Sequence, residues 1–308
     1  MTKLRMSACV SLALGVLVLV MSPECGWGQV TATVSGKVED ASGAVVGGAT
    51  VTVKNLETGA TRTVTTDETG NYRVLSLPVG SQEVRAEKAG FKSAVRTGIN
   101  LAVVQEAVVN LRLDVGNVAQ EITVSADTPL VDTTTASVSG LVAEREVKDL
   151  PLNGRSFDYL ITLNPGAISY TLKSANTSTS NGNTFSVAGR RPLDNIFLLN
   201  GIEYTGSSQL SVTPGGVSGD LLGIDAVREF NVLTGTYSAE YGKRAGAQVT
   251  IITQSGSNQL HGSFFEFLRN SALDARNFFD QGSVAPFRRN QFGGAVGGPI
   301  AKDKLFFF

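Results

Sequence analysis

Apolar and polar side chains alternate with a period of two through residues 31–113, and this pattern restricts the chain more than any other feature. Val51 and Val53 alternate with Thr50, Thr52 and Lys54. Val84 and Ala86 alternate with Glu83, Arg85 and Glu87, and Val109, Leu111 and Leu113 alternate with Asn110 and Arg112. Successive side chains of a strand point to opposite faces, so each run buries one face and wets the other. Turn residues separate the runs at Asp40-Ala41-Ser42-Gly43, Asp67-Glu68-Thr69-Gly70 and Pro78-Val79-Gly80. The spacing predicts about seven short strands packed as a two-sheet β-sandwich. The 34 glycines, with many Thr, Val, Ser and Asn, extend the bias toward strands and turns along the whole chain. A formal net charge of −1 offers no field that would hold nucleic acid.

One run in this module is diagnostic: Asp67, Gly70, Tyr72, Leu77, Pro78, Gly80, Val84, Gly90 and Phe91, supported upstream by Ser35-Gly36-Lys37-Val38 and Gly48-Ala49-Thr50-Val51. It resembles the carboxypeptidase regulatory-like family, a transthyretin-like sandwich. The resemblance implies a fold sometimes grouped with carbohydrate-binding-like sandwiches, and no peptidase activity. Fold alone does not set function, so Tyr72 and Phe91 are read as core aromatics rather than as a sugar platform.

The N-terminus has the form of an export leader. Lys3 and Arg5 precede an apolar run from Ser7 to Met21, Pro23 breaks it, and Gly26-Trp27-Gly28 provides small residues for cleavage after Gly28. Both cysteines, Cys9 and Cys25, fall inside this leader, so the mature chain has no thiol for disulfides or metal. Beyond it, no run is apolar and long enough to cross a bilayer as a helix, so insertion would require a barrel.

After Asp114-Val115-Gly116-Asn117 comes Glu121-Ile122-Thr123-Val124-Ser125-Ala126, bounded by Asp127-Thr128-Pro129. The hexapeptide is extended by propensity. A free strand of this kind adds to the edge of another protein's sheet. It resembles the TonB box, the segment through which the periplasmic TonB protein and its inner-membrane energising complex engage outer-membrane receptors. The alternatives are an ordinary linker or the last strand of the sandwich.

From about residue 128 to 254 the pattern is mixed. Phe157, Leu160 and Ile161 fit a short helix with Ser156 at its N-cap, stopped at Asn164-Pro165-Gly166. Ile224, Val227 and Phe230 fit a second helix face, and Ser174 to Asn183 is a polar loop. Three stretches resemble the plug of TonB-dependent receptors. The first runs from Ser186 through Gly189-Arg190-Arg191 to the apolar strand before the Asn200-Gly201 turn. The second is the acidic, apolar element from Ile224 to Phe230. The third runs from Tyr237 through Tyr241-Gly242 to the closing strand Gln248–Thr253. Leu233-Thr234-Gly235 stands where the family has Arg-Gly-Pro, a variation that resembles the Oar-like branch and weakens any transfer of siderophore or vitamin specificity. Arg190, Arg191, Asp194, Lys243 and Arg244 are candidates for salt bridges to a barrel lumen.

Residues 255–308 carry aromatic clusters, including Phe264-Phe265 and Phe306-Phe307-Phe308, and the run Gln291 to Pro299. Aromatics near strand ends fit an interfacial girdle, although Phe264 and Phe265 must point to opposite faces. The stretch resembles the opening barrel strands of Oar-like receptors. It has room for about three strands where the smallest barrels need about eight, so the chain reads as part of a longer protein. The lone His261 excludes a multi-histidine zinc site, and Gly293-Gly294 lacks the Lys-Ser/Thr of a phosphate loop, so it reads as close strand packing. No catalytic, cofactor or metal residues are expected.

The expected fold is mainly β: leader 1–28, sandwich 29–113, linker with TonB box 114–127, an α+β plug 128–254 and opening barrel strands 255–308. The expected function is TonB-dependent uptake of an unidentified ligand across the outer membrane, with lipid around the barrel and the sandwich in the periplasm. Two competing expectations are a surface adhesive or carbohydrate-binding protein built on the sandwich, and a signalling receptor.

Overall fold

The computed structural model describes residues 32–116, 121–125, 137–150, 152, 156–169, 184–204, 223–235, 241–276, 282, 284 and 286–308. The expected leader with Gly28, the polar run 174–183, Ala126 and residues 237–240 lie outside the described residues.

The alternating runs form a sandwich. Strands β1 (Ala32–Asp40), β4 (Asn71–Leu77), β7 (Glu106–Val108) and β8 (Leu111–Leu113) make one sheet. The facing sheet has the order β3-β2-β5-β6-β9, from β2 (Thr50–Asn55), β3 (Thr61–Thr65), β5 (Gly80–Glu87), β6 (Ser93–Leu101) and β9 (Glu121–Ser125). Val34, Val38, Val51, Val53, Tyr72, Val84, Ala86, Leu111 and Leu113 meet in the core between them. The Tyr72 hydroxyl donates to the Val109 carbonyl at 2.6 Å, and burial pushes the phenol well above its ordinary pKa. The turn at Asp40 is an Asx-turn: its carboxylate accepts from the Ser42 and Ala44 amides at 2.8 and 2.9 Å. Asp67 does the same for Thr69 and Asn71.

β1 is the organising strand. One edge pairs with β4, and the other pairs in parallel first with β7 and then with β8. Where it changes partner, the backbone of Val109 presses against Gly36. A Cβ there would lie 2.0 Å from the Val109 carbonyl oxygen.

The second unit is a sheet ordered β10-β15-β16-β13-β14. It comprises β10 (Val138–Val142), β13 (Ile196–Leu199), β14 (Ile202–Glu203), β15 (Val227–Gly235) and β16 (Gln248–Thr253), flanked by the hairpin β11 (Ala167–Ser169) and β12 (Phe185–Val187). Helix α1 (Glu144–Asp149) and a 3-10 helix over Phe157–Leu163 cover it. Its core joins Phe157, Phe185, Phe197, Phe230, Val249 and Ile251, with the Phe157 and Phe230 rings 5.8 Å apart.

Two helical expectations need correction. The segment at Phe157 is helical, and Ser156 occupies the N-cap position, but its side chain makes no capping bond; its hydroxyl donates to Asp158 instead. Ile224, Val227 and Phe230 do not share a helix face. Only Ile224–Ala226 forms a 3-10 turn, and Val227–Gly235 is a strand between β10 and β16. A strand buried on both faces, polar positions included, loses the period-two signal, so a short stretch of it mimics helical spacing.

The third unit has the order β17-β18-β19: β17 (His261–Asn270), β18 (Arg288–Ala301) and β19 (Leu305–Phe307). The ten β17–β18 pairs run without a register shift. Gly293 and Gly294 leave room for the rings of Phe265 and Phe264, which would lie 2.8 and 2.6 Å from an added Cβ. Phe264 is 91% exposed on one face with Leu268, Phe292, Val296 and Ile300, while Phe265 lies on the opposite face, packed at 6.0 Å against Phe267.

Replacing Gly36 by Ala drives a methyl group into the Val109 carbonyl, and the expected cost is about 1–3 kcal/mol, as for other overpacked sites. Thermal unfolding of the variant should show a lowered sandwich transition; an unchanged midpoint would refute the close approach.

Candidate functional site: the junction of sandwich, central sheet and C-terminal strands

Three places brought together by the fold carry candidate functional residues. The first is the hexapeptide. Glu121–Ser125 is extended, as expected, but it is not free. It pairs in parallel with β6, with Ser93 opposite Glu121 and Thr97 opposite Ser125. It is thus the last strand of its sheet, and among the described residues its outer edge has no strand partner. A short extended segment next to an open sheet edge completes that edge's hydrogen bonds, which accounts for the pairing.

The second place is the set of plug-motif residues, which the fold divides between two ends of the central sheet. Gly189 adopts φ +72°, in a turn where the Arg190 amide donates to the Val187 carbonyl at 3.0 Å. The Arg190 guanidinium donates to the Ala245 carbonyl, beside Tyr241 and Gly242. Arg191 starts the 3-10 turn Pro192–Asp194, and Gln248 donates to the Gly242 carbonyl at 3.2 Å. At the other end, Asn200 (φ +50°) and Gly201 (φ +84°) form the tight turn between β13 and β14. The Asn200 side chain is clasped to Thr253 of β16, donating at 2.9 Å and accepting from its amide at 3.0 Å. Three of the five charged candidates for lumen salt bridges, Arg190, Lys243 and Arg244, are engaged inside the unit: Lys243 pairs with Glu203, and Arg244 donates to the Leu193 carbonyl at 2.6 Å. Carbonyls left open by irregular turns are nearer acceptors than any other unit.

The third place lies within the acidic, apolar element Ile224 to Phe230, whose contacts the sequence did not indicate. Arg228 and Glu229, adjacent on β15, reach across to the sandwich. Arg228 makes a two-pronged ion pair with Glu57, at 2.7 and 2.8 Å. Glu229, 9% exposed, accepts the Val103 amide at 2.6 Å. Burial lifts the Glu229 carboxyl above the usual carboxylate range, against the opposing pull of the Val103 amide and Arg228. Burial also works against the Arg228 charge, but Glu57 outweighs it and holds the guanidinium protonated. Asp225 accepts the Ser263 hydroxyl of β17 at 2.6 Å, and the Asn258 amide donates to the Glu57 carbonyl at 2.8 Å. A cleft of about 270 Å³ opens beside the ion pair, between Glu57, Thr58, Asn200 and Thr253. The available signal was a pair of adjacent charges between apolar neighbours, Val227-Arg228-Glu229-Phe230. Spacing alone does not name their partners, 171 residues away for Arg228 and 126 for Glu229.

His261 stacks on Phe308 with ring centroids 6.3 Å apart. Among the described residues no cluster of three metal-ligating side chains occurs.

Because its folded value is raised, Glu229 binds a proton more readily in the folded chain. Its contribution to stability is therefore full below the ordinary carboxylate range and declines as pH rises through the raised value. Glu229→Gln keeps an acceptor for Val103 and should be neutral or stabilising at pH 7. Glu229→Ala orphans that amide and should cost about 1–3 kcal/mol. Equal losses in the two variants by chemical denaturation would refute this account.

Comparison with known proteins agrees with this architecture. Residues 33–114 match the family model described as carboxypeptidase regulatory-like domain, and residues 252–308 match the outer membrane beta barrel domain. The chain is 30% identical over 275 residues to the TonB-dependent transporter Oar of Myxococcus xanthus. This covers 84% of the chain, which spans only 24% of that relative's length. Among solved structures, the siderophore receptor PirA of Acinetobacter baumannii matches 56% of the chain at 22% identity, with a TM-score of 0.40 and 24% of its own length covered. The ferric enterobactin receptor PfeA of Pseudomonas aeruginosa matches 55% at 18% identity and the same TM-score, with 23% of its length covered. The curated relative matched by sequence is named as a transporter, not as an enzyme. The face of β17 and β18 that carries Phe264, Leu268, Phe292, Val296 and Ile300 is largely apolar, broken by Glu266 opposite Phe292, and apolar strand faces of this kind are what a membrane barrel presents to lipid. The chain is a homologue of the TonB-dependent transporter Oar over most of its own length, with a carboxypeptidase regulatory-like sandwich ahead of a segment that matches the outer membrane beta barrel domain.

Proposed function

We propose that this chain is the energy-coupling front part of a transporter that moves a ligand across the outer membrane under TonB control. In this reading residues 29–113 are a periplasmic sandwich, 114–127 a tether, 128–254 a plug and 255–308 the first wall strands of a barrel. Relatedness to an Oar transporter over most of the chain supports transport in general. The observation that carries the finer reading is the state of Glu121–Ser125: extended, at the end of a sheet, with an open outer edge. A strand from TonB would find its partner already in strand geometry, and preorganisation lowers the ordering cost of such pairing. A plug held by polar contacts can yield under a pull, because directional bonds are replaced by water once displaced, whereas a dry core would expose apolar area. The ligand is left open: Leu233-Thr234-Gly235 departs from the better-known branches, and siderophore recognition is not carried over.

The test is disulfide trapping between the full-length receptor and the periplasmic domain of TonB. With Cys9 and Cys25 both ahead of the expected cleavage point, single cysteines placed at Ile122, Thr123 and Val124 are the only thiols within residues 29–308, and any cysteine of the full-length receptor outside them is replaced by serine. Efficient trapping with a cysteine on a TonB strand, alternating with position, is expected. Deletion of residues 121–126 should abolish co-purification, and undiminished co-purification would overturn the assignment.

A further inference from the structure

The contact between sandwich and central sheet has features of a built latch. Arg228 and Glu57 are only partly exposed, 16% and 31%, and meet through both guanidinium nitrogens and both carboxylate oxygens. A two-pronged pair of this kind fixes orientation as well as position. Space for it depends on Gly80, which opens β5 at φ +104°. A Cβ there would lie 2.3 Å from the Glu57 carboxylate and 2.4 Å from the Arg228 guanidinium. The neighbouring Glu229 binds the amide of Val103, in a turn closed by Gln105, whose amide donates to the Ala102 carbonyl and whose side chain accepts the Ala102 amide. The next residue, Val104, sits at φ +64°. A β-branched side chain in the left-handed region is strained, and such a conformation persists only while its surroundings enforce it. The turn leads directly into β7, and Glu57 follows β2 in the sheet that carries β9 at its edge.

We propose that Arg228 and Glu229 latch the sandwich onto the plug, and that a pull on Glu121–Ser125 opens this latch before the plug sheet moves. The proposal rests on the transport reading for the source of the pull, while the docking itself does not. Load applied to β9 passes through its pairing with β6, then β5 and β2, to Glu57, and from there into β15, which pairs with β10 and β16 in the plug sheet. This route lies in parallel with the covalent tether. The strained Val104 turn favours release once Glu229 withdraws, so the contact has two states rather than a graded one.

Hydrogen exchange on the full-length receptor in lipid nanodiscs tests the docking without ligand or TonB. Arg228→Gln is expected to speed exchange of the Val103 amide and of residues 55–59 by about tenfold or more, leaving β13 and β16 protected. The reversed pair, Glu57→Arg with Arg228→Glu, is expected to recover most of the protection. Unchanged exchange in Arg228→Gln overturns the latch, and so does equal acceleration across β16, which would make Arg228 a support of the sheet itself. Single-molecule pulling from a handle attached at Thr123 of the same receptor tests the order of events. An early rupture that weakens in Arg228→Gln supports the proposal, and identical traces for both proteins overturn it. Neither readout uses TonB, so a failed trapping experiment and a failed latch are told apart.

Discussion

An extended backbone carries unpaired donors and acceptors along both edges, and where those edges find partners organises this molecule. β1 satisfies one edge with β4 and divides the other between β7 and β8, which is possible only because Gly36 lets the Val109 backbone approach. The hexapeptide closes β6 on one side and leaves its own outer edge open. In the C-terminal sheet, β17 and β19 end the order of strands, so they are the positions where a barrel wall would continue. Strands that are closed form rigid bodies, and strands that end a sheet are where further chains can attach.

The bodies so formed have apolar interiors and polar joints. The sandwich core and the core around Phe157 and Phe230 are apolar. The contacts between units are directional and charged: Glu57 with Arg228, Val103 with Glu229, Ser263 with Asp225. Such contacts specify one docked arrangement, yet water can replace them when they part. That combination suits a part that must be seated accurately and also leave its seat.

Much of the fold was legible where one face of a strand is wet. Val51, Val53, Val84 and Ala86 were assigned to the core from alternation, and each is at most 1% exposed. The turns at Asp40, Asp67 and Gly80 follow from side chains that bond their own backbone or tolerate positive φ. Legibility failed in the centre of the plug-like sheet, where Val227 to Thr234 is covered on both faces and carries no period. It failed also for Glu121–Ser125, whose extended conformation was readable but whose partner, β6, was only one of several possibilities. Among the site residues, the Asn200-Gly201 turn was recoverable from its residue types, whereas Arg190 bonding to the Ala245 carbonyl was not, since nothing local pairs positions 55 residues apart.

The sequence alone determined strand against helix over most of the chain, the positions of tight turns, the separation into sandwich, mixed sheet and aromatic strands, and the family resemblance. All of these rest on interactions between residues close along the chain or on the identity of single residues. Only the tertiary structure decided which edges pair, which way β15 lies, and that Arg228 and Glu229 grip the sandwich. Those outcomes are set by hydrogen bonds and ion pairs between distant segments, whose strength depends on burial and geometry that arise only after the sheets have packed.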